Sequence, residues 1–389
     1  MAPIRIGLIG LSAAGSWASQ AHLPYLKGSE KYTIVALCNT SVESAKAAIK
    51  AHDLPASTKA YGSYKDLGSD PDVDLVVCSV RVDRHYDAIK PALEAGKDVY
   101  CEWPLGKNLE EGLELAALAK KKEVRTMVGL QARQSALVKK IKEIVDSGRI
   151  GKVLSVSFVG AGYNLGTAEM EKYQYLNHRE VGGNLVTIHF SHGFYGLLYA
   201  LGELKNYSSI LEVKRPKVDL LDKQVSDPEA KVVGTTTRTS HDQILIQGHL
   251  ESGALLSYHL RGGKAFADTE GMLWRIYGET GEIQIKGPSP SVQIGNSGTK
   301  VEVQDISTGK VEEITLDQDE WDELPGPAPN VARMYEAFAD KKTTEFPDWE
   351  EAVIRHKLVD ELYRRETDRT ERAAHYLPTH KRKNSLWTK

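Results

Sequence analysis

Hydrophobic positions in the first third of the chain fall into short continuous runs that are separated by amphipathic stretches. The runs predict strands, and the stretches between them predict helices at 42–51, 85–95 and 109–121. Strands that are apolar along their whole length are typical of a parallel sheet with helices on both faces. Right-handed crossovers then favour a doubly wound nucleotide-binding fold. The predicted strands are 4–9, 32–38, 74–80, 97–101 and 125–130.

The pattern changes after about residue 150, where strand-like segments follow one another with glycine-rich turns between some of them. This succession favours a large open sheet that is mostly antiparallel. Residues 324–329 are rich in proline and glycine and predict a linker before helices at 332–340 and 349–365. The predicted strands are 153–159, 231–237, 243–250, 255–260, 272–277, 281–286 and 300–303.

Together these patterns predict an α/β protein with two domains. Residues 1–130 form a Rossmann domain with a doubly wound parallel sheet. Residues 131–389 form an α+β domain whose large, mostly antiparallel open sheet carries the substrate and dimer contacts. We also expect the C-terminal helices to pack back on the first domain. An open sheet with one uncovered face favours a homodimer, because such surfaces usually bury against a partner.

Composition and charge exclude several classes of protein. The 389 residues contain 50 Lys and Arg against 53 Asp and Glu, so no overall basic charge is present to hold a nucleic acid. Three cysteines without metal-type spacing indicate a reducing compartment rather than a disulfide framework. We find no secretory signal and no apolar stretch of the roughly 18–20 residues that a membrane span needs. We therefore expect a cytoplasmic protein.

The first predicted strand runs into a glycine-containing turn at residues 10–15. A dinucleotide-binding turn needs a residue that turns tightly, a small residue beside the pyrophosphate and a small residue where helix meets strand. Gly10 and Gly15 fill the first and third positions, and Ser12 stands in place of the second glycine, followed by Ala13. The pattern G-x-S-x-x-G predicts nucleotide binding here, and an ordinary strand–helix turn is the alternative.

The end of the second predicted strand bears on the choice of cofactor. A site selective for NAD places Asp or Glu there, to accept a hydrogen bond from the ribose 2′-hydroxyl. This chain has Asn39, Thr40 and Ser41 instead. Three neutral side chains accommodate a 2′-phosphate without charge repulsion. The sequence therefore favours NADP(H) as the cofactor, with NAD(H) as the alternative.

Several segments carry a resemblance to a known family: the opening turn, the run that begins at Asp74, His85, the block that ends at Leu105, and residues 129–133 and 146–153. They resemble the glucose–fructose oxidoreductase/inositol dehydrogenase family, Gfo/Idh/MocA, and the resemblance covers most of the chain. It implies hydride transfer between a nicotinamide and a sugar- or polyol-like molecule. It also implies a Glu-Lys-Pro triplet, whose Lys assists proton transfer, and an Asp four residues before an acid/base His.

The chain departs from that family pattern at two positions. Glu102 and Pro104 are present, but Trp103 stands where the Lys is expected. His192 falls at the family's His, while Ile188 replaces the Asp. Neither replacement can exchange a proton at neutral pH. The same departures resemble the branch of the fungal galactose-regulon repressor, which implies the alternative function: a non-catalytic, dinucleotide-sensing transcriptional regulator with a regulatory protein partner, in the cytoplasm or the nucleus.

The candidate catalytic residues are His192, His189 and Glu102. Imidazole titrates near neutral pH, which suits an acid/base, although the apolar neighbours of His192 also fit a core histidine. The two histidines share one helix face, but the sequence offers no third ligand, so we expect no metal. Trp103 fits either a ring that stacks on the cofactor or a core position. The predicted cofactor-binding residues are Gly10, Ser12, Ala13, Gly15, Asn39, Thr40, Ser41, Ser79, Arg81, His85, Glu102 and Trp103.

A polar and aromatic run precedes the pair Gly182-Gly183, and a second glycine pair precedes Lys264. Such side chains are typical of a lining for a sugar-like substrate or a partner surface, and an exposed loop is the alternative. We therefore expect an NAD(P)-dependent oxidoreductase whose partner is a small-molecule substrate, with no nucleic acid and no membrane. The predicted substrate-binding residues are Tyr163, Tyr175, His178, Arg179 and Lys264.

Overall fold

The computed structural model describes residues 2–162, 165–295 and 297–376, with side chains described up to residue 369. The strands of the first sheet are β1 (Ile4–Ile9), β2 (Tyr32–Cys38), β3 (Lys59–Tyr61), β4 (Leu75–Cys78), β5 (Asp98–Cys101) and β6 (Thr126–Val128). They are parallel and lie in the order β3-β2-β1-β4-β5-β6. This is the order of a doubly wound dinucleotide-binding sheet, with its switch point between β1 and β4. The predicted fold class is confirmed.

One register row crosses this sheet at the last residue of its strands. From β2 to β6 the row consists of Cys38, Ile9, Cys78, Cys101 and Val128, all of which are buried, and half-buried Tyr61 continues it on β3. The next residue along each strand therefore lies at the carboxyl edge of the sheet, where open α/β sheets bind their ligands. These edge residues are Asn39, Gly10, Ser79, Glu102 and Gly129.

Helices cover both faces of the first sheet. Along β4, Leu75 and Val77 belong to one hydrophobic cluster while Val76 and Cys78 belong to another, as expected for a strand that is buried on both sides. The helices are α1 (Leu23–Leu26), α2 (Val42–Ala51), α3 (Tyr64–Gly68), α4 (His85–Glu94), α5 (Leu109–Lys121), α6 (Ala136–Asp146), α7 (Ser191–Leu201), α8 (Ala328–Ala339) and α9 (Trp349–Tyr376).

The second sheet is large, open and mostly antiparallel. Its strands are β7 (Val153–Ala161), β9 (Leu204–Glu212), β12 (Gln243–Leu250), β13 (Leu255–Arg261), β14 (Met272–Gly278), β15 (Gly281–Gly287), β16 (Lys300–Asp305) and β17 (Val311–Glu313). They lie in the order β17-β16-β15-β14-β7-β13-β12-β9, and β7 pairs with β13 in parallel. A small separate sheet contains β8 (Ala168–Met170), β10 (Lys217–Leu221) and β11 (Val232–Thr237).

The two faces of the second sheet differ. On the inner face, Phe158 and Tyr258 stack on each other and pack against Phe190 and Phe194 at the start of α7. The outer face carries exposed apolar side chains on its central strands, including Val159 (54% exposed) and Leu255 (55%). Alternation of buried and exposed residues along these strands is typical of a sheet with one face on the core.

Helix α8 returns to the first sheet near the end of the chain. Tyr335 and Phe338 join the hydrophobic cluster of Ile6 and Leu8, and the Tyr32 hydroxyl donates to the carbonyl oxygen of Tyr335 at 2.6 Å. The helix begins at Ala328, so the predicted linker at 324–329 was too long by two residues. Pro329 is tolerated because the first turn of a helix does not use its backbone N–H groups.

Five short or half-exposed strands escaped prediction. β3, β8 and β17 have three residues each, which is too few for a visible alternation. β9 is polar on most positions, and only Leu211 along it is buried. β10 follows β9 after a short turn and belongs to the small separate sheet. Among the described residues, no helix combines the length and the apolar character that crossing a membrane requires.

A buried polar network supports the segment that precedes the Gly182-Gly183 pair. The Arg238 guanidinium donates to the side chain of Asn177 (2.8 Å), to the carbonyl oxygen of Gly166 (2.9 Å) and to Asp242 (3.3 Å). The side chains of Arg238 and Asp242 are almost completely shielded from water. This network therefore holds two stretches of loop in place from the inside.

Candidate functional site

The turn after β1 has the backbone conformation that a dinucleotide phosphate needs. Gly10 and Gly15 have φ angles of 98° and 92°, in the region that favours glycine. A Cβ atom on Gly10 would lie 2.3 Å from the carbonyl oxygen of Ser79, so only glycine fits between β1 and β4. Ser12 is half-buried, and its hydroxyl accepts from the backbone N–H of Ala14 at 3.2 Å. The serine thus stabilises the turn whose second glycine it replaces.

Two further observations fit a dinucleotide at this turn. Ala13 is exposed at the tip of the turn, which leaves its backbone accessible to a phosphate. The Ser79 hydroxyl, at the end of the neighbouring strand, is buried and has no hydrogen-bond partner among the described residues. Buried polar groups are normally bonded, so an unpaired hydroxyl at a ligand-binding edge suits a hydrogen bond to a ligand. The residues present therefore fit a nicotinamide dinucleotide.

Of the three neutral residues after β2, two are used by the fold itself. The Asn39 amide donates to the carbonyl oxygen of Leu11 at 2.8 Å. Ser41 caps α2 by accepting from the backbone N–H of Ser44 at 3.1 Å. Thr40 is exposed and makes no side-chain bond with another described residue. Its hydroxyl is the one of the three that is available to a ribose or a 2′-phosphate.

The loop after β4 carries the next two predicted cofactor residues. Arg81 is exposed, pairs with Asp83 at 2.6 Å and lies over the ring of Tyr175 at 5.4 Å. His85 is buried, and its two ring nitrogens face the carbonyl oxygens of Pro104 (2.8 Å) and Val80 (3.0 Å). Burial lowers the pKa of His85. His85 therefore ties the loop after β4 to the loop after β5, and contact of either residue with the cofactor stays a prediction.

Sequence spacing gave no sign that Cys78, Cys101 and His85 meet. The register of β4 and β5 brings them together, and their ligand atoms lie within 4.8 Å of one another. However, Cys101 is completely buried, and its Sγ lies 3.4 Å from Nδ1 of His85, a distance that suits a hydrogen bond between the two side chains. The His85 nitrogens already face carbonyl oxygens. We assign no metal to this cluster.

Glu102, directly after β5, is held by a partner that sequence reasoning missed. Its Oε1 lies 2.8 Å from Nε2 of His22, and Nδ1 of the same ring lies 2.8 Å from the Tyr335 hydroxyl. His22 and Tyr335 are completely buried, while Glu102 is 7% exposed. These contacts span 80 and 313 positions of sequence, so no local pattern could have revealed them.

Trp103 occupies the position where the resemblance implies a Lys. Its indole N–H donates to the carbonyl oxygen of Thr187 at 2.5 Å, and its ring packs against His356 with the centroids 4.7 Å apart. Trp103 is buried and also borders a groove of about 680 Å³ between the loop after β5 and α9. The indole therefore links the two halves of the protein, and stacking on a cofactor stays a prediction.

The predicted acid/base histidines lie around the start of α7. A wide helical turn, Leu185–Phe190, leads into this helix. Burial lowers the pKa of His189 to about 4 and of His192 to about 3, and neither Nδ1 has a partner among the described residues. The apolar surroundings of both histidines disfavour the charged ring. A catalytic role for His192 or His189 stays a prediction. Ile188 lies against Gly183, and no carboxylate replaces the family's Asp there.

The predicted substrate residues do not form one cluster. Tyr175 approaches the first domain, where Arg81 lies over its ring, while Tyr163 lies outside the described residues. The other three make separate contacts: His178 with Thr236 (Nε2 to Oγ1, 3.3 Å), Arg179 with the ring of Tyr363 (4.1 Å) and Lys264 with the carbonyl oxygen of Val225 (3.5 Å). Tyr175 thus lies against the loop after β4, and Arg179 lines the groove that Trp103 also borders.

Comparisons with known proteins agree with this architecture. The model of the oxidoreductase family with an NAD-binding Rossmann fold matches residues 4–130, and that of the Gal80p C-terminal domain matches residues 136–287. The dehydrogenase aclE of Aspergillus oryzae is 32% identical, over 93% of this chain and 95% of that protein. The galactose/lactose metabolism regulatory protein GAL80 of Saccharomyces cerevisiae is 26% identical, over 93% of this chain and 92% of that protein.

A solved structure shows the same arrangement of both domains. It is that of a super-repressor mutant of Gal80p from Saccharomyces cerevisiae, which is 25% identical to this chain. The TM-score is 0.84, over 94% of this chain and 97% of that one. The match at 32% identity over nearly the full length of both proteins, together with the two domain models, fixes the family. This chain belongs to the Gfo/Idh/MocA oxidoreductase family, with a second domain of the Gal80p type.

Proposed function

We propose that this protein is an NAD(P)-dependent oxidoreductase that acts on a hydroxyl or carbonyl group of a sugar- or polyol-like small molecule. The observation that supports this most is the phosphate turn at Gly10 and Gly15, with the unpaired Ser79 hydroxyl beside it at the carboxyl edge of the sheet. A bound nicotinamide would take or supply the hydride. The full-length similarity to a dehydrogenase supports the same proposal.

Proton transfer in this proposal falls to Glu102. It is a carboxylate at the carboxyl edge, one oxygen of which is fixed by His22 while the side chain keeps some exposure. His192 is neutral at physiological pH, because burial lowers its pKa to about 3. It would therefore act on a substrate oxygen through hydrogen bonding rather than exchange protons. His189 lines another groove, of about 800 Å³, that does not include Trp103. Tyr175 would line the substrate side.

A second candidate function is supported by a specific observation. Trp103 fills the Lys position with a buried indole that is bonded to Thr187, and Ile188 fills the Asp position. Two positions that act on protons in the family are thus occupied by residues that cannot do so. This favours a dinucleotide-sensing regulator that binds a protein partner, and the similarity to GAL80, a galactose/lactose metabolism regulatory protein, supports the same reading.

One experiment separates the two functions. The purified protein is titrated with NADP+, NADPH, NAD+ and NADH by calorimetry, and then mixed with cofactor and a panel of sugars and polyols while absorbance at the reduced nicotinamide band is followed. Turnover that Glu102→Gln abolishes supports the enzyme. Binding without turnover across the panel supports the regulator. If no dinucleotide binds, both proposals fail together.

We propose that NADP(H) is the preferred cofactor, and Thr40 provides the test. Thr40→Asp is expected to weaken NADP+ binding by about tenfold or more, because a carboxylate would face the 2′-phosphate. Binding of NAD+ should stay equal or improve, since the new carboxylate can accept from a ribose hydroxyl. Calorimetric Kd values for both cofactors check this. Thr40→Asn is the neutral control, and equal losses for NADP+ and NAD+ would contradict the preference.

We also propose a homodimer that forms through the outer face of the second sheet, where Val159 and Leu255 are exposed. Val159→Asp is expected to convert the dimer to a monomer in sedimentation equilibrium at micromolar concentration, because it places a charge at the centre of the apolar face. Val232→Asp is the control, since Val232 is 60% exposed on the small separate sheet. A monomeric unmodified protein would refute the dimer.

For location in the cell we propose the cytoplasm, and the nucleus in addition if the protein is a regulator. The support comes from the state of the cysteine residues. Cys38, Cys78 and Cys101 are buried free thiols, which suits a reducing compartment. Fluorescence microscopy of the tagged protein tests this proposal.

A further inference from the structure

Glu102 is a mostly buried carboxylate that lacks a permanent positive partner. Its Oε1 is bound by His22 at 2.8 Å, and across the described residues no Lys or Arg lies within ion-pair distance of it. Its Oε2 lies toward Gly129, since a Cβ atom there would be 2.5 Å away. The carboxylate thus sits at the sheet edge with one oxygen anchored and the other directed along the edge.

The side chains that contact Glu102 or His22 carry no permanent positive charge. The Tyr335 hydroxyl can donate to Nδ1 of His22 while Nε2–H donates to Glu102, a pattern that needs no second proton on the ring. His85 lies on the next loop, and its two ring nitrogens face the carbonyl oxygens of Pro104 and Val80 rather than Glu102. The Tyr100 ring, against His22, keeps its proton because burial raises its pKa well above the usual range.

The residue that follows Glu102 is also uncharged. The resemblance implies a Lys at position 103, which would place a cation beside the carboxylate. Here Trp103 stands in its place, and its N–H is committed to the carbonyl oxygen of Thr187. Glu102 therefore lacks the neighbouring cation that the family pattern places there.

Strand order places this charge on the nicotinamide side of a bound dinucleotide. The phosphate turn follows β1, and Thr40 follows β2, so the adenosine half extends toward β2 and β3. The nicotinamide half must then extend the other way, toward β4 and β5. Glu102 follows β5 directly. Neighbouring strands are about 4.8 Å apart, so β5 is about 10 Å from β1 along this direction.

We propose that Glu102 makes this site select the oxidised form of its dinucleotide over the reduced form. The oxidised nicotinamide ring carries a positive charge, and the reduced ring is neutral. A carboxylate without a cationic partner, in surroundings that exclude most water, attracts the charged ring and leaves the neutral one unaffected. The inference rests on the proposed function, because it needs a dinucleotide at this edge. It gives either candidate function a sensitivity to the redox state of the cofactor pool.

The test compares the Kd for NADP+ with the Kd for NADPH by calorimetry, and NAD+ with NADH in parallel. The unmodified protein should bind the oxidised form more tightly. Glu102→Gln keeps the shape of the side chain and an oxygen for His22, so it should change this ratio by about fivefold or more, through weaker binding of the oxidised form alone. ADP-ribose, which has no nicotinamide, should bind both proteins equally.

His22→Gln is the matched control. Glutamine can donate to Glu102 and accept from Tyr335, so it preserves both contacts and the carboxylate charge. The ratio of the two Kd values should then match that of the unmodified protein. The inference is overturned if Glu102→Gln has the same ratio of Kd values as the unmodified protein, or if the unmodified protein has no preference. Neither result refutes the proposed dinucleotide site. Absence of binding by ADP-ribose and by every dinucleotide would instead refute the proposed function and this inference with it.

Discussion

Replacing Gly10 with alanine is expected to reduce dinucleotide affinity at least about a hundredfold, which corresponds to about 2.7 kcal/mol of binding free energy. The φ angle of 98° is strained for any residue with a Cβ atom, and that atom would lie 2.3 Å from the Ser79 carbonyl oxygen. Because Ser79 is bonded to Ile9 through its backbone N–H, the ends of β1 and β4 would have to separate. Calorimetric titration with NADP+ and NAD+ measures the loss.

Gly15→Ala distinguishes backbone strain from steric collision. Gly15 has nearly the same φ angle, 92°, but a Cβ atom there would meet no atom closer than Ser19 Oγ at 3.9 Å. We expect it to weaken binding by a much smaller factor than Gly10→Ala. Equal effects of the two substitutions would mean that the contact with Ser79 does not determine the shape of the turn. Thermal melts of both variants without cofactor separate loss of affinity from loss of stability.

Replacing Arg238 with methionine is expected to lower the free energy of unfolding by about 3–5 kcal/mol. The guanidinium is fully buried, and its removal leaves Asp242 with an uncompensated charge inside the protein. It also removes the bonds to Asn177 and to the Gly166 carbonyl, which hold the segment before the Gly182-Gly183 pair. Urea titration followed by circular dichroism measures the shift of the midpoint.

An exposed ion pair gives the control for that measurement. Arg364 pairs with Asp368 within α9 rather than on the second sheet, and 62% of the arginine side chain is exposed. Arg364→Met should change the free energy of unfolding by less than about 1 kcal/mol. A double variant, Arg238→Met with Asp242→Leu, should recover part of the loss, because no unpaired charge is left buried. A loss for Arg238→Met as small as for Arg364→Met would show that the network is not structural.

The local sequence pattern was sufficient to predict most of the first domain. Buried parallel strands are apolar along their whole length, so β1 and β2 were predicted with the bounds that the structure shows. The sequence also placed Gly10 and Gly15 at the phosphate turn. Strand β3 was missed because all of its side chains are half-buried and it has three residues.

The candidate site was predictable only where it depends on neighbouring residues. Glu102 and Trp103 were recognised from a family motif, but their partners His22, Tyr335 and Thr187 come from distant parts of the chain. Contacts of that kind depend on how the domains pack, which no periodicity encodes. The pKa values of the histidines could not be predicted for the same reason, because burial, rather than residue type, lowers them.

The return of α8 to the first sheet bears on how the protein is made. During synthesis the ribosome releases the amino-terminal third long before residues 328–339 exist, so Tyr32 and Tyr100, which Tyr335 contacts on the first sheet, are left uncovered in the nascent polypeptide. That part of the molecule cannot reach its final form until almost the whole message has been translated. A chaperone that binds exposed hydrophobic surface on nascent chains would act during this interval.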